Sequence, residues 1–316
     1  MLIDKFLTYL RGERRYSEHT IEAYARDLSQ FAEFVVGRIT NNDVSDVVTG
    51  DLFVPSVVTT DDIRAWIIDL SSKGLSPASI NRKTSSLRSF YKYLRKIGVV
   101  TTNLFLGIEP RKEPSRLPSF VQETKMTDVL NNLEIGFASD SFAVRRNALL
   151  VLLLYTTGLR LAEIRGARLG DFTNGYSELR VLGKGNKERI VPVIEYTRRR
   201  IIEYIDDLKA RKFCISPDLS LLLTEKGKPV PRSEIYRIVR EELEAAGVLG
   251  KRSPHVLRHT FATHMLDGGA DIRVIQELLG HSSLAATQVY THNSIAKLKE
   301  AYNSAHPRAR KKDEGK

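Results

Sequence analysis

The sequence is poor in cysteine and has no long apolar run. Cys214 is the one cysteine among 316 residues, so no disulfide can form within the chain, and a reducing cytoplasm is the expected compartment. The longest apolar run, Ala148 to Tyr155, is far shorter than the roughly 20 residues that a membrane-spanning helix needs. The N-terminus carries an acid where a signal peptide would be basic, so neither export nor a membrane location is expected.

Acidic residues are missing from one long stretch. Between Ser71 and Ile108 there is no Asp or Glu but there are seven cations, in a chain whose net charge is +11. Such a surface attracts polyanions, most often nucleic acid, although mild basicity can also serve solubility alone. A solvated helix usually interleaves acids with its cations, so their absence favours phosphate contact. The predicted DNA contacts are Arg82, Lys83, Arg88, Lys92 and Arg95.

Apolar residues spaced three and four apart predict four helices in the first part of the chain. These helices cover residues 1–10, 17–36, 61–72 and 77–97, with Ser17 as the N-cap of the second. The stretch from Gly37 to Pro55 lacks this spacing and is expected to be a long loop. Residues 1–108 are therefore predicted to form a small helical domain.

A second domain is predicted beyond a linker. Residues 109–119 hold three prolines and much charge, which is typical of an exposed interdomain linker. Residues 120–306 are predicted to be mostly helical, and residues 307–316 form a basic tail. The exception is a β-hairpin predicted over residues 178–193, whose GKGNK turn places Lys184 at the tip.

Two predicted helices lie close to most of the histidines. Ser253 and Pro254 open the first, which carries His255 and Arg258 on one face at its positive end. Gly280 closes the second. Five of the seven histidines lie between positions 255 and 292, which raises the question of a metal site.

Several familiar kinds of active site are not supported. His255 and His259 have a spacing that can chelate zinc, but no carboxylate or cysteine completes a familiar ligand set, so no metal is predicted. The nucleophile elbow of a serine hydrolase and the spacing of a P-loop are both missing. These absences argue against a zinc enzyme, a hydrolase and a nucleotide-triphosphate site.

The remaining polar residues suit a phosphodiester. Arginines can bind its non-bridging oxygens, histidine and lysine can move protons, and tyrosine can act as the nucleophile. Taken singly, each residue also has an ordinary role as a core aromatic, a cap or a surface cation. The candidate catalytic residues are Arg160, Lys184, His255, Arg258, His281 and Tyr290.

The stretches around these residues resemble a known family. They are TTGLRLAE, GKGNKER, SPHVLRHTFATHML, LLGHSSLAATQVYTH and the closing AHPRA. Together they are similar to the catalytic boxes of the tyrosine recombinases, in particular the Xer subgroup, and the resemblance covers essentially the whole chain. It implies a mainly α protein with an N-terminal four-helix, SAM-like DNA-binding domain. The catalytic domain would be mostly helical with a small β-hairpin or sheet.

The resemblance implies a role for each candidate residue that acts on the phosphate. Arg160 and Arg258 would clamp the phosphate, and His281 would donate a hydrogen bond to it. Lys184 would protonate the leaving 5′ oxygen, and His255 would serve as general acid and base toward the nucleophile.

The nucleophile itself would be Tyr290, giving a 3′-phosphotyrosyl enzyme and a free 5′-hydroxyl. The bond energy is kept in this ester, so the resemblance implies no metal, ATP or other cofactor. Glu163 and Asp171 lie where such proteins often carry acids, and both are expected to be structural.

The implied partner is double-stranded DNA, clamped between the two domains. Four protomers would assemble on two short sites, as a homotetramer or as a heterotetramer with a paralogous recombinase. A C-terminal helix over residues 294–304 would contact a neighbouring protomer through Leu298 and Tyr302. A septal DNA translocase, as in other Xer systems, is a further candidate partner.

The expected biological role is the resolution of chromosome dimers at a dif-like site. The chain begins directly at its helical domain, which favours this role over phage integration. An integrase or invertase of a mobile element shares the same layout and stays open. Two further functions also stay open, a relaxing enzyme that pairs no sites and a noncatalytic DNA-binding protein.

Overall fold

The computed structural model describes residues 2–39, 53–113, 119–183 and 188–280. The chain divides into two compact units, Met1–Ser115 and Arg116–Lys316. The limits predicted for the linker and the tail stay predictions. No helix in the described ranges is long and apolar enough to cross a membrane.

The N-terminal unit contains four α-helices in its described part, as predicted. A short 3-10 turn, Pro55–Val57, precedes the third helix. The helices are α1 Leu2–Gly12, α2 Glu18–Ile39, α3 Thr60–Ser72 and α4 Pro77–Lys96.

Polar side chains begin these helices where the local sequence predicts. Ser17 Oγ accepts the backbone N–H of Thr20 at the start of α2, which confirms the predicted cap. Thr59 and Asp62 form a reciprocal capping box at α3. The apolar faces then meet in an aromatic core, in which Trp66 packs edge-on to Phe31 with ring centroids 5.0 Å apart.

The predicted loop over residues 37–55 begins later than expected, because α2 continues to Ile39. Val35 and Val36 are buried just before Gly37. Arg38, the residue after Gly37, forms an ion pair with Asp62 of α3 at 3.2 Å. These contacts offset the roughly 1 kcal/mol that a glycine costs inside a helix. Residues 40–52 lie outside the described residues.

The C-terminal unit is built around one buried helix, Phe142–Thr157, which is apolar on nearly every side. Five other helices of the unit, among those that the structure describes, pack around it. The apolar run from Ala148 to Tyr155 is therefore the centre of a helical core. In chain order the helices are α5 Glu123–Phe137, α6 Phe142–Thr157, α7 Leu161–Gly166, α8 Glu195–Ala210, α9 Arg232–Ala245, α10 Pro254–Asp267 and α11 Ile272–Leu279.

A three-stranded antiparallel sheet lies beside these helices. It has the order β1–β2–β3, with β1 Phe172–Thr173, β2 Glu178–Leu182 and β3 Glu188–Pro192. Strands β2 and β3 form the predicted hairpin, with Val181 opposite Arg189. The tip, residues 184–187, lies outside the described residues. The mainly α architecture with a small sheet is confirmed.

Helix α11 joins the sheet to α10. Its apolar face, with Ile275, Leu278 and Leu279, packs against Phe261 and Met265 of α10. It also contacts β3. The C-terminal end of α11 is therefore held between the sheet and α10, and Gly280 closes the helix in the left-handed conformation, as predicted.

Candidate functional site

A tight turn after α6 sets the position of the first candidate arginine. Gly158 ends α6 with a φ of +60°, and a Cβ at this position would lie 2.5 Å from Cδ1 of Phe261. Glycine is therefore required there on both conformational and steric grounds. The buried Leu159 follows, and Arg160 becomes the N-cap of α7.

Arg160 is held by an acid one turn further along its own helix. Glu163 accepts the Arg160 backbone N–H at 2.8 Å through Oε2 and accepts Arg160 Nη1 at 2.9 Å through Oε1. Only 5 % of the Glu163 side chain is exposed, compared with 35 % for Arg160. The acid is thus inside the protein, whereas the guanidinium that it orients still reaches solvent.

The second candidate arginine lies on α10, one turn from a candidate histidine. Pro254 opens α10, and His255 is exposed in its first turn. Arg258 donates from Nη1 to the carbonyl oxygen of Gly158 and from Nη2 to that of Leu279, both at 2.6 Å. Arg258 therefore ties the end of α6 to the end of α11.

Three arginines from three different elements bind consecutive carbonyl oxygens at the end of α11. Arg189 donates to Leu278 at 2.7 Å, Arg258 to Leu279 at 2.6 Å and Arg160 to Gly280 at 3.1 Å. The last carbonyls of a helix lack intrahelical partners and carry the negative end of the helix dipole. The structure therefore brings Arg160 and Arg258 together on one helix terminus.

Arg189 is the member of this group that the sequence reasoning missed. It lies on β3 and is 95 % buried, and its Nη1 and Nη2 donate to the two oxygens of Glu163 at 2.9 and 2.8 Å. A signal was available, because Arg189 shares the alternation of a strand with the apolar Val191 and so had to face the core. A buried arginine requires an acid partner, which is Glu163.

The electrostatics of the cluster are unbalanced in favour of positive charge. Glu163 is surrounded by Arg160, Arg189 and Arg258, the last with Nη1 4.0 Å from Oε2. Burial alone would raise the pKa of Glu163, but the hydrogen bonds and charge of Arg189, together with the hydrogen bonds of Arg160, hold it below its usual value. Burial, with the like charge of Arg160, lowers the pKa of Arg258 to about 10. Arg258 therefore keeps its charge at neutral pH, with a like-charge repulsion that a bound anion would relieve.

Three candidate residues fall outside the described part of the chain: Lys184 at the hairpin tip, His281 and Tyr290. The predicted interface helix over residues 294–304 lies outside it as well. His281 directly follows Gly280 in the sequence, and Arg160 binds the carbonyl oxygen of Gly280. Asp171 accepts the backbone N–H of Arg168 at 2.8 Å, which is a local structural contact.

No group of three or more histidine, cysteine or acidic side chains that could hold a metal ion occurs within the described ranges. His255 and His259 are both exposed on α10.

The cations of α4 do not form one free basic face. Asp27 of α2 binds Arg82 with Nη1 and Nη2 at 2.5 and 2.9 Å and Lys83 with Nζ at 3.2 Å. Lys83 is buried and also donates to Gln30. The structure corrects the sequence interpretation at Lys83, because its ammonium is engaged inside the domain and is not presented to solvent.

The other three predicted DNA contacts of α4 differ in their surroundings. Arg88 donates to the carbonyl oxygen of Ile108 at 2.9 Å and lies over the ring of Phe105. Lys92 and Arg95 are exposed, and neither forms an ion pair with any residue that the structure describes. The free positive charge of α4 is thus concentrated in its C-terminal half.

Comparison with known families covers nearly the whole chain. The model described as "Phage integrase family" matches residues 120–297. A second model, "Phage integrase, N-terminal SAM-like domain", matches residues 2–99.

Curated relatives match over the same length. Tyrosine recombinase XerC of Listeria innocua is 37 % identical over 96 % of this chain and 97 % of its own. XerC of Pelobacter propionicus is 38 % identical over 98 % and 96 %, and tyrosine recombinase XerD of Bifidobacterium longum is 33 % identical over 98 % of each chain.

Solved structures show the same fold. The crystal structure of XerH site-specific recombinase bound to palindromic difH substrate, a post-cleavage complex, has a TM-score of 0.67 at 22 % identity. The match covers 95 % of this chain and 82 % of that one. With both domain models matched and relatives above 30 % identity over the full length, the chain belongs to the phage integrase family and is a tyrosine-type site-specific DNA recombinase similar to the Xer recombinases.

Proposed function

We propose that this recombinase cuts and rejoins DNA strands through a 3′-phosphotyrosyl intermediate formed on Tyr290. The observation that carries the proposal is the meeting of Arg160 and Arg258 at the end of α11, directly before His281 in the sequence. Each guanidinium has five N–H donors and uses two of them in these internal hydrogen bonds. The remaining donors of each have no partner among the described residues and are available to bind the non-bridging oxygens of a phosphodiester.

The proposed reaction exchanges one phosphate ester for another. The Tyr290 hydroxyl attacks the phosphorus and loses its proton to His255, and the bond to the 5′ oxygen breaks. Lys184 gives a proton to that oxygen, which leaves as a 5′-hydroxyl. Rejoining is the reverse, with a hydroxyl from another strand. The fixed positive charge of Arg160 and Arg258 would stabilise the negative charge that grows on the phosphate.

As its biological role, we propose the resolution of chromosome dimers at a dif-like site. The proposal is supported by the XerC and XerD relatives and by the XerH complex with its difH substrate. It includes assembly on two sites as a homotetramer or a heterotetramer with a paralogue, activation by a septal DNA translocase and a cytoplasmic location. An integrase or invertase of a mobile element is the alternative, and λ integrase structures share the fold at 18 % identity.

For the N-terminal unit we propose that Arg82, Arg88, Lys92 and Arg95 contact the DNA backbone. Lys92 and Arg95 are both exposed. Arg82 is also 52 % exposed, although its guanidinium is oriented by Asp27. Contacts of this kind fix register on the duplex without reading its sequence.

The experiment is a covalent-capture assay with the full-length protein. Wild type, Tyr290→Phe and the matched control Tyr236→Phe are each incubated with sheared genomic DNA of the source organism, with EDTA present and ATP absent. Tyr236 lies on α9 beside Arg232, outside the candidate site. The reactions are quenched with detergent, and any DNA that stays bound to protein is sequenced.

Wild type and Tyr236→Phe should retain one short, roughly palindromic locus, while Tyr290→Phe should retain none. An adduct formed by Tyr290→Phe would refute the assignment of the nucleophile. Dispersed adducts would point to a relaxing enzyme. Recovery of a site next to a mobile element, far from any chromosomal dif-like sequence, would favour the integrase alternative.

A further inference from the structure

Arg189 is buried next to the candidate site but does not face it. Only 5 % of its side chain is exposed, and Nε, Nη1 and Nη2 each donate to an oxygen inside the protein. Arg160 and Arg258 are 35 % and 11 % exposed. A group this enclosed cannot reach a substrate phosphate in the way that Arg160 can, so its contribution must pass through its partners.

We propose that Arg189 is a positioning residue of the recombinase, which fixes the Arg160 guanidinium and the end of α11 relative to each other. The inference rests on the proposed function, because it assumes that Arg160 binds the phosphate.

The first link runs through Glu163. Its Oε1 accepts both Arg160 Nη1 and Arg189 Nη1, each at 2.9 Å, and its Oε2 accepts the Arg160 backbone N–H and Arg189 Nη2, each at 2.8 Å. Arg189 thus fixes the carboxylate at both oxygens, in a planar fork-to-fork pair. Without this fork the carboxylate could rotate about its own side chain, and the hydrogen bond that aims Arg160 would change direction.

The second link runs through the end of α11. Arg189 Nε donates to the carbonyl oxygen of Leu278 at 2.7 Å, two residues before the carbonyl that Arg160 binds at Gly280. Gly280 lies against the same side chain, since a Cβ there would be 3.2 Å from Arg189 Cδ and Nη1. Arg189 therefore fixes the position of the last turn of α11, after which the chain continues to His281.

A lysine cannot replace this arrangement. It would supply the same charge, but its single ammonium cannot reach both carboxylate oxygens and the Leu278 carbonyl in one plane. Arg189→Lys is therefore the informative variant, because it keeps the charge and the approximate length of the side chain and removes the geometry. Arg237→Lys is the matched control, since Arg237 forms an exposed pair with Glu241 on α9.

The test measures binding and cleavage separately. A duplex carrying the captured site is nicked so that the released fragment diffuses away and the covalent adduct accumulates in a single turnover. Arg189→Lys should form the adduct roughly 10- to 100-fold more slowly than wild type, the usual effect of losing a residue that orients a reactive group. Its affinity for the duplex should stay close to that of wild type, and Arg237→Lys should match wild type in both rate and affinity.

A double-mutant cycle with Arg160→Lys distinguishes positioning from a general loss of structure. If Arg189 acts by aiming Arg160, adding Arg189→Lys to Arg160→Lys should slow adduct formation only a few-fold further. Independent structural effects would multiply instead. Circular dichroism at the assay temperature verifies folding, and if Arg189→Lys does not fold, Glu163→Gln replaces it in the same cycle with the same expectation.

Three results would overturn the inference. They are wild-type cleavage by Arg189→Lys, multiplication of the two rate losses in the double variant, and a loss of DNA affinity as large as the loss of rate. A wild-type protein that forms no adduct would instead refute the proposed function, and the inference would fall with it.

Discussion

Replacing Asp27 with alanine should lower the free energy of unfolding of the N-terminal unit by more than a comparable substitution of a surface acid. Asp27 is 1 % exposed and accepts hydrogen bonds from Arg82, Lys83 and Ser86. Of these cations Arg82 can turn into solvent, but Lys83 is 9 % exposed and cannot. Asp27→Ala therefore leaves a buried ammonium whose one remaining partner among the described residues is Gln30.

The size of the effect follows from this burial. Removing one partner of a buried ion pair costs about 3–5 kcal/mol, because the other charge stays desolvated. Lys83→Met should cost less, roughly 1–2 kcal/mol, since Asp27 keeps Arg82 and Ser86. Asp69→Ala is the matched control, because Asp69 pairs with Lys73, which is 63 % exposed, and such surface pairs are worth at most about 1 kcal/mol.

The chain supplies its own probe for this measurement. Trp66 is the only tryptophan in the sequence, and it is buried in the core of the N-terminal unit. Its fluorescence during urea unfolding therefore reports the unfolding of that unit. The expected order of destabilisation is Asp27→Ala, then Lys83→Met, then Asp69→Ala. An Asp27→Ala variant no less stable than Asp69→Ala would refute the reasoning.

Two further predictions concern the catalytic unit. Burial lowers the pKa of His264, although the hydrogen bond to the Val121 carbonyl opposes this shift, so the unfolded chain takes up a proton at a higher pH than the folded one. The melting temperature should therefore fall as the pH drops below about 6.5. The fall should be smaller in His264→Gln, while His259→Gln should behave as wild type. Gly158→Ala should lower the free energy of unfolding, measured in urea, by roughly 2–4 kcal/mol, because of the positive φ at this position and the close contact with Phe261. Gly166→Ala should be nearly neutral, since Gly166 has open space around it and an ordinary φ. Equal effects of the two substitutions would contradict the close packing at Gly158.

Local signals in the sequence were sufficient for most of the secondary structure. Pro254 and Gly268 mark the two ends of α10, and Gly280 ends α11, because proline and glycine act on the backbone directly. The hairpin followed from β-branched residues around a glycine turn. The end of α2 could not be predicted in this way, since its last residues are held by Asp62 of α3, a contact that is distant in sequence.

Long-range charge pairing explains what the sequence did not disclose. The stretch from Ser71 to Ile108 contains no acids, yet Asp27 of α2 pairs with Arg82 and Lys83, and Glu13, in the turn after α1, pairs with Lys96. A count of local charge therefore overestimates the free cations. Arg189 was missed for the same reason, because its acid partner, Glu163, lies 26 positions away in the sequence. The sequence predicted only a structural role for Glu163.

Most of the hydrogen-bond acceptors that bind Arg160, Arg189 and Arg258 are neutral, and this leaves the cluster of three arginines with an excess of positive charge. Carbonyl oxygens at the end of α11 fix the directions of three guanidinium groups without cancelling a full charge. Glu163 cancels one, and it accepts two guanidinium hydrogen bonds from Arg189, the most enclosed of the three, but only one from Arg160. Arg160 and Arg258 are thereby held close together with their positive charge largely uncompensated.

The excess positive charge of Arg160 and Arg258 favours the binding of an anion. Burial lowers the pKa of Arg258, and repulsion from the like charge of Arg160 lowers it further. Any anion that binds between the two arginines removes part of that repulsion. A phosphate gains more from this as its negative charge grows, whereas a neutral group gains little. Because the guanidiniums are already oriented by α11 and Glu163, no rearrangement is needed when that charge develops. If Arg160 and Arg258 bind the phosphate as proposed, Glu163 serves the reaction by orienting Arg160 and favouring the charged form of Arg258, and Arg189 by holding Glu163 and the end of α11 in position.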